Sequence, residues 1–268
     1  MYRGFNISGI SVETFSGLNF TDHSDIHDGL TKCGVRIGSR YKNSVEDSIR
    51  AIERNGKVEF AGNEIEGLCF PHLNFDVFIS HSHSDVQTAV ELAGFLKYWC
   101  GLDAFVDSCA WSYRDEIIER LVRLVARDDK PSEKLLCSII SHVDCMLNKA
   151  LIGMIDGCES LFFLNTPNSI LGSSLGGTTC SPWIYGELEA SRVIRKQKSE
   201  RRPRGLMEAR AEDCSPYLFQ YDIRLNHLAS TTGSVIRDWA VNAHRKGMKK
   251  FDALDALYDC FPFDGESF

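Results

Sequence analysis

The sequence has no Cys-x-x-Cys pair, although it carries ten cysteines in 268 residues. In a chain this long, thiols scattered in that way read as reduced and mostly buried, not as a disulfide framework. A basic excess is also missing: 30 lysines and arginines stand against 37 acids, a net charge of -7. That balance argues against a general nucleic-acid or membrane-surface binder, because phosphate-rich partners are met with basic patches. Long apolar runs are lacking too. The opening Met-Tyr-Arg-Gly-Phe-Asn-Ile-Ser-Gly has no signal-peptide core, and no later stretch reads as the ~20 apolar residues of a membrane-spanning helix. A cytoplasmic protein with no membrane and no nucleic acid among its partners is expected. With 43% hydrophobic and 25% charged residues, the chain is ordinary for one or two globular domains.

What the sequence does have is concentrated in Phe75-Asp-Val-Phe-Ile-Ser-His-Ser-His-Ser-Asp85. The short apolar run with Asp76 as its one polar interruption suits a strand covered on both faces, as in a parallel sheet. Ser84 and Gln87 have the spacing of a capping box. Val86, Ala89, Val90, Ala93 and Leu96 then recur at helical spacing up to Gly101, a helix stop. The loop between strand and helix lies at the strand's carboxyl end, where open α/β sheets bind ligands.

Further along, Leu102–Asp107 reads as a second strand, followed by a loop over 108–114 containing Trp111 and Tyr113. Asp115–Arg127 reads as a helix with a solvated face, carrying Glu116–Arg120 and Glu119–Arg123 pairs. The charged stretch Arg127–Lys134 around Pro131 reads as an exposed insertion. His142–Ile155 reads as an amphipathic helix, and Leu161–Leu164 as a third strand. Ser181-Pro182 marks a helix start, with the helix running to about Lys198. Phe219–Leu225 is a fourth strand, a weak fifth falls near His227, and helices over Ser234–Ala243 and Phe251–Tyr258 close the chain. Strands alternating with helices predict an α/β, doubly wound parallel sheet. Residues 1–72, with a helix expected over Ser44–Arg54 and stopped by Asn55-Gly56, read as an N-terminal extension. Residues 231–268 read as a C-terminal helical extension.

Three patterns invite chemistry. His81-x-His83-x-Asp85 after a strand resembles the first zinc ligands of some metallohydrolases. The histidine that should follow the aspartate is replaced by Val86, however, and the other histidines form no short ligand cluster. Gly172-Ser-Ser-Leu-Gly-Gly177-Thr-Thr has phosphate-loop glycines, but Thr178 stands where lysine is needed, and Ser181 is too far on for a helix dipole to reach the phosphate. The basic run Arg192–Arg204 has no interleaved aromatics for stacking bases, and reads as a solvated helix end and linker. The most informative residue is Glu187. Trp183, Glu187, Ala190 and Ile194 share one helical stripe that should face the sheet, and burying a charge there is costly. The competing reading is a partly exposed acid near a helix start.

Taken together, Phe75-Asp-Val-Phe-Ile-Ser-His81, Phe105-Val-Asp107 and Ser181-Pro-Trp-Ile-Tyr-Gly-Glu187 resemble a Toll/interleukin-1 receptor (TIR) domain over residues 73–230. Ile79-Ser-His-Ser-His83 and Phe163-Leu-Asn-Thr-Pro-Asn-Ser169 are similar to bacterial members. The resemblance implies a flavodoxin-like fold with strand order 2-1-3-4-5. It also implies either cleavage of NAD+ or a non-catalytic scaffold that assembles through the loop after the second strand. Glu187 matches the catalytic glutamate of the NAD+-cleaving members, and Trp183 the tryptophan one turn earlier. Ser80, His81, Asp107 and Trp111 match the rim of the nucleotide cleft. NAD+ would be the substrate, with no separate cofactor, in antiphage signalling. The partners would be other copies of the domain and a downstream effector protein.

Overall fold

The computed structural model describes residues 1–15, 31–34, 52–54, 57–110, 114–126, 130–171, 177–194 and 220–262. Its strands are β1 (Arg3–Ser8), β2 (Ile52–Arg54), β3 (Lys57–Glu59), β4 (Val77–Ser80), β5 (Ala104–Phe105), β6 (Ser160–Asn165), β7 (Thr178–Thr179), β8 (Tyr221–Asp222) and β9 (Ala229–Thr232). The helices used below are α1 (Gly62–Cys69), α2 (Val86–Cys100), α3 (Asp107–Ala110), α4 (Arg114–Ala126), α5 (Glu133–Gly157), α6 (Pro182–Val193), α7 (Gly233–Arg245) and α8 (Phe251–Asp259).

Five strands form one parallel sheet in the order β5-β4-β6-β1-β9. Alternation along each strand divides the core into two layers. Val77 and Ile79 of β4, Phe162 and Leu164 of β6, and Phe5 and Ile7 of β1 face α2, α7 and α8. Phe78, Leu161 and Phe163 face α4, α5 and α6 on the other side. Apolar residues therefore fill successive positions of β4 and β6, so these two strands read as continuous runs rather than alternating ones. The chain is an α/β protein with a doubly wound parallel sheet, compatible with a flavodoxin-like fold.

The strand order agrees with the expected one at three places and departs at the fourth. The fourth slot is filled by β1, which pairs Phe5 with Phe162 of β6 on one side and with Ala229 of β9 on the other. Among the described residues of the expected fourth strand, Tyr221–Asp222 is extended, but it lies outside the sheet and pairs antiparallel with Thr178–Thr179. Arg3–Ser8 thus lies inside the sheet, and α7 and α8 supply much of one core layer. The boundaries proposed at residues 72/73 and 230/231 therefore separate no packing units. The cause lies in composition: Arg3-Gly-Phe-Asn-Ile-Ser8 is short, and its polar residues hide a strand that is buried on both faces.

Smaller departures have local causes. Ile52–Arg54 is a strand paired antiparallel with Lys57–Glu59, not the end of a helix. The rest of the helix expected over Ser44–Arg54 lies outside the described residues. Helix α5 begins at Glu133, two turns before His142, because Ser132 caps it by accepting from the Leu135 amide. The end of the stretch read as an exposed insertion, Glu133 and Lys134, is thus helix. By length and composition, α5 is long and apolar enough to cross a membrane, contrary to the first reading. It nevertheless turns Val143, Leu147, Leu151 and Met154 into the core and carries a buried Asp144 paired with Arg114. The described cysteines are all free, and only Cys69, Cys100 and Cys158 are buried. Burial pushes the Cys69 thiol up to about 12.

Asp76, the polar interruption before β4, has a definite role. Its Oδ2 accepts from the Asp103 amide at 2.7 Å and from Lys250 Nζ at 2.7 Å. Asp103 in turn accepts from Lys97 at 2.7 Å and Lys250 at 3.2 Å. This four-residue cluster joins the amino ends of β4 and β5 to the start of α8. Lys250 adopts a positive φ of 53°, a conformation that costs a non-glycine residue energy.

Candidate active site

At the carboxyl end of β4, Ser80 Oγ donates a 2.6 Å hydrogen bond to Glu187 Oε2. Both side chains are buried, with Glu187 only 5% exposed. Helix α6 brings the carboxylate there. Ser181 caps its first turn by accepting from the Ile184 amide, and Pro182 starts it where no donor is missed. Its rotation is fixed by buried Ile184 and Leu188, by Tyr185 stacked on Tyr221 at 4.7 Å, and by Ser191 bonded to His227 at 2.8 Å. The fold therefore settles the two readings of Glu187 in favour of the buried one.

Burial pushes the Glu187 carboxyl well above the usual carboxylate range. The nearby negative charge of Asp107 raises it further, and the Ser80 hydrogen bond opposes both. Each cause follows the ordinary rule: desolvation and a like charge favour the neutral acid, whereas a donor favours the carboxylate.

Asp107 opens α3, directly beyond β5, and stands with His81 at the neighbouring strand end. His81 is 8% exposed. Its Nδ1 lies 3.2 Å from the Ile79 carbonyl oxygen and 3.7 Å from Asp107 Oδ1, and its Nε2 lies 3.1 Å from Ser108 Oγ. Trp183 is half-buried and lines a small cleft with Gly186, Glu187 and Ala190 of α6 and with Asn148 and Ile152 of α5. Ser80, His81, Asp107 and Glu187 are thus gathered around the carboxyl ends of β4 and β5, with Trp183 beside Glu187 in the cleft between α5 and α6. Trp111 and Tyr113 lie outside the described residues.

The other patterns resolve differently. Asp85 is buried and occupied: Thr166 Oγ1 donates to its Oδ2 at 2.6 Å and Asn168 Nδ2 to its Oδ1 at 2.8 Å. It holds the loop after β6, while His83 points to solvent. Among the described residues no three His, Cys, Asp or Glu side chains are grouped as metal ligands. The capping box does not form, since the α2 cap is Asp85 without a side-chain bond, and Gln87 donates to Thr31 and Glu91 instead. Gly177 is a packing glycine, because a Cβ there would lie 2.1 Å from Ile170 Cγ2. Residues 172–176 of that glycine loop, and the basic run beyond Ile194, fall outside the described residues.

Sequence reasoning missed Ser108, Thr166 and Asn168. The signal for Ser108 was its place immediately after Asp107, at a strand end. Thr166 and Asn168 stood in a loop of small polar residues, with nothing to mark Asp85 as their acceptor. The chain matches no protein-family model, no curated protein and no solved structure.

Proposed function

We propose that this protein is a TIR-type NAD+ nucleosidase, cleaving NAD+ to nicotinamide and ADP-ribose or a cyclic variant, with Glu187 as the catalytic carboxylate. One observation carries the reading: a glutamate buried to 5% exposure beside the carboxyl end of a central parallel strand, bonded to the serine that ends that strand. Such a position is costly to fill with an acid unless a positive charge arrives to meet it.

The chemistry needs one such group. Sugar glycosidases require an acid for the leaving oxygen and a second carboxylate. In NAD+ the nicotinamide is already cationic and departs neutral, so what needs stabilising is the oxocarbenium-like ribose. Burial and Asp107 by themselves favour the neutral acid. An entering cationic nicotinamide riboside favours the carboxylate, and the developing ribosyl cation favours it more. Ser80 holds the ionised oxygen in place, so little reorganisation is needed as charge develops. Trp183 shapes the ribose side. His81 and Asp107 line the rim, where Trp111 would stack on a base.

The reading extends to a cytoplasmic setting, self-association through the loop after β5, a downstream effector protein and a role in antiphage signalling. The direct test is incubation of concentrated protein with NAD+ and assay of nicotinamide. Release that rises steeply with protein concentration is expected. No release from wild type under any assembling condition would make the chain a non-catalytic scaffold.

A further inference from the structure

Ser108 and His81 form an arrangement that the cleavage of NAD+ does not itself require. The Ile79 carbonyl can only accept, so His81 Nδ1, 3.2 Å away, carries the ring proton. Nε2 then presents its lone pair, and the Ser108 hydroxyl at 3.1 Å donates to it. Asp107 Oδ1, 3.7 Å from Nδ1, stands where it would stabilise an imidazolium once the ring gained a second proton. A hydroxyl, a base of fixed tautomer and a carboxylate behind the base are the parts of an activated nucleophile. The base is shielded, with His81 only 8% exposed, while Ser108 is half-buried and reachable.

The pair also adjoins the candidate catalytic carboxyl by two routes. His81 follows Ser80, the hydrogen-bond donor to Glu187. Ser108 follows Asp107, whose charge is felt at Glu187.

We propose that Ser108 is a nucleophile that captures the ADP-ribosyl group, making the protein a target of its own reaction; this rests on the NAD+-cleaving reading of the same site. In the step, the C1′–N bond to nicotinamide breaks, and its electron pair returns to the ring nitrogen, releasing neutral nicotinamide. Ser108 Oγ forms the new bond to C1′, and its proton passes to His81 Nε2 and then to solvent. No further reactant is needed.

The test follows wild type, Ser108→Ala, Ser108→Thr and His81→Gln through incubation with NAD+, reading nicotinamide release, intact mass and the modified peptide, with melting temperature as a check on folding. One ADP-ribosyl group is expected on the wild-type peptide carrying Ser108. It should be absent from Ser108→Ala, present in Ser108→Thr, and formed about a hundredfold more slowly in His81→Gln, the usual worth of a positioned base. Nicotinamide release with Ser108 unmodified would overturn the inference and leave the cleavage reading standing. Absence of nicotinamide release from wild type would overturn both. Mapping the wild-type peptide decides the matter even if Ser108→Ala folds poorly.

Discussion

The Glu187 carboxylate accepts a hydrogen bond from Ser80 at 2.6 Å, which links the end of a central strand to the second turn of the helix packed beside it. The contact favours the charged form of an otherwise desolvated acid, against burial and the negative charge of Asp107.

Glu187→Gln keeps size and most hydrogen bonding but deletes the charge. NAD+ cleavage is expected to fall a hundredfold or more, on the order of 3 kcal/mol of lost transition-state stabilisation. Glu189→Gln is the control, since Glu189 lies on another side of the helix and pairs with Arg192 at the surface. Nicotinamide release from the three proteins checks this, and equal turnover by Glu187→Gln and wild type would refute the assignment.

Stability should depend on pH through the same residue. The folded carboxyl titrates above its unfolded value, so between those two points the native state holds a proton that the unfolded chain has lost. The stability contributed is complete below the unfolded pKa and is lost as pH rises towards the folded one, at up to about 1.4 kcal/mol per pH unit. Glu187→Gln removes this dependence. Its melting temperature relative to wild type should therefore climb from pH 5 upward, as thermal scans in a pH series would show, and a difference that stays constant would contradict it.

Ser80→Ala removes the donor that favours the ionised form. The Glu187 carboxyl should rise further, moving the alkaline-going limb of NAD+ cleavage to higher pH and lowering turnover about tenfold near neutrality. A pH–rate profile checks both effects; an unmoved limb would mean that Ser80 does not tune the acid.

Lys250→Met leaves Asp76 and Asp103 without one of their cations. Because Lys250 is 44% exposed, solvent screening limits the loss, and about 1 to 2 kcal/mol is expected. Chemical denaturation measures it. Nicotinamide release should be unchanged, since this cluster lies at the opposite end of the strands from Glu187.

Asp144→Asn should cost about 2 kcal/mol of stability, because Arg114 Nε and Nη2 both bond the buried Asp144 carboxylate and bidentate pairs are the strong ones. Arg114 follows the segment that carries Asp107 and Ser108, so cleavage should fall as well. Denaturation and nicotinamide assays on one preparation separate the two losses.

The sheet's central strands were legible because full burial leaves an apolar run, as in Phe78-Ile79 and Leu161–Leu164. Helix α6 was legible because Ser181-Pro182 encodes its start without reference to tertiary contacts. Glu187 could be singled out because its spacing from Trp183 and Ala190 placed a charge on an inward stripe. The strand at Arg3–Ser8 was not legible, since pairing with residues 160–165 and 229–232 decides its fate and local pattern does not. Capping at Ser84 failed for a related reason: Gln87 had Thr31 and Glu91 as better partners, and Thr31 is remote in sequence. The Ser108–His81 pair was hidden likewise, because it depends on two strand ends being adjacent.

The place of β1 bears on how the protein is made. Its two neighbours in the sheet lie about 155 and 225 residues later in sequence, so β1 cannot complete its pairing until residues 229–232 have been made. Contacts this distant in sequence slow folding and lengthen exposure of apolar segments. The same delay postpones completion of the sheet that carries Ser80 and against which the helix of Glu187 packs. The cleavage proposed for this site would thus stay switched off until residues 229–232 have been made and paired.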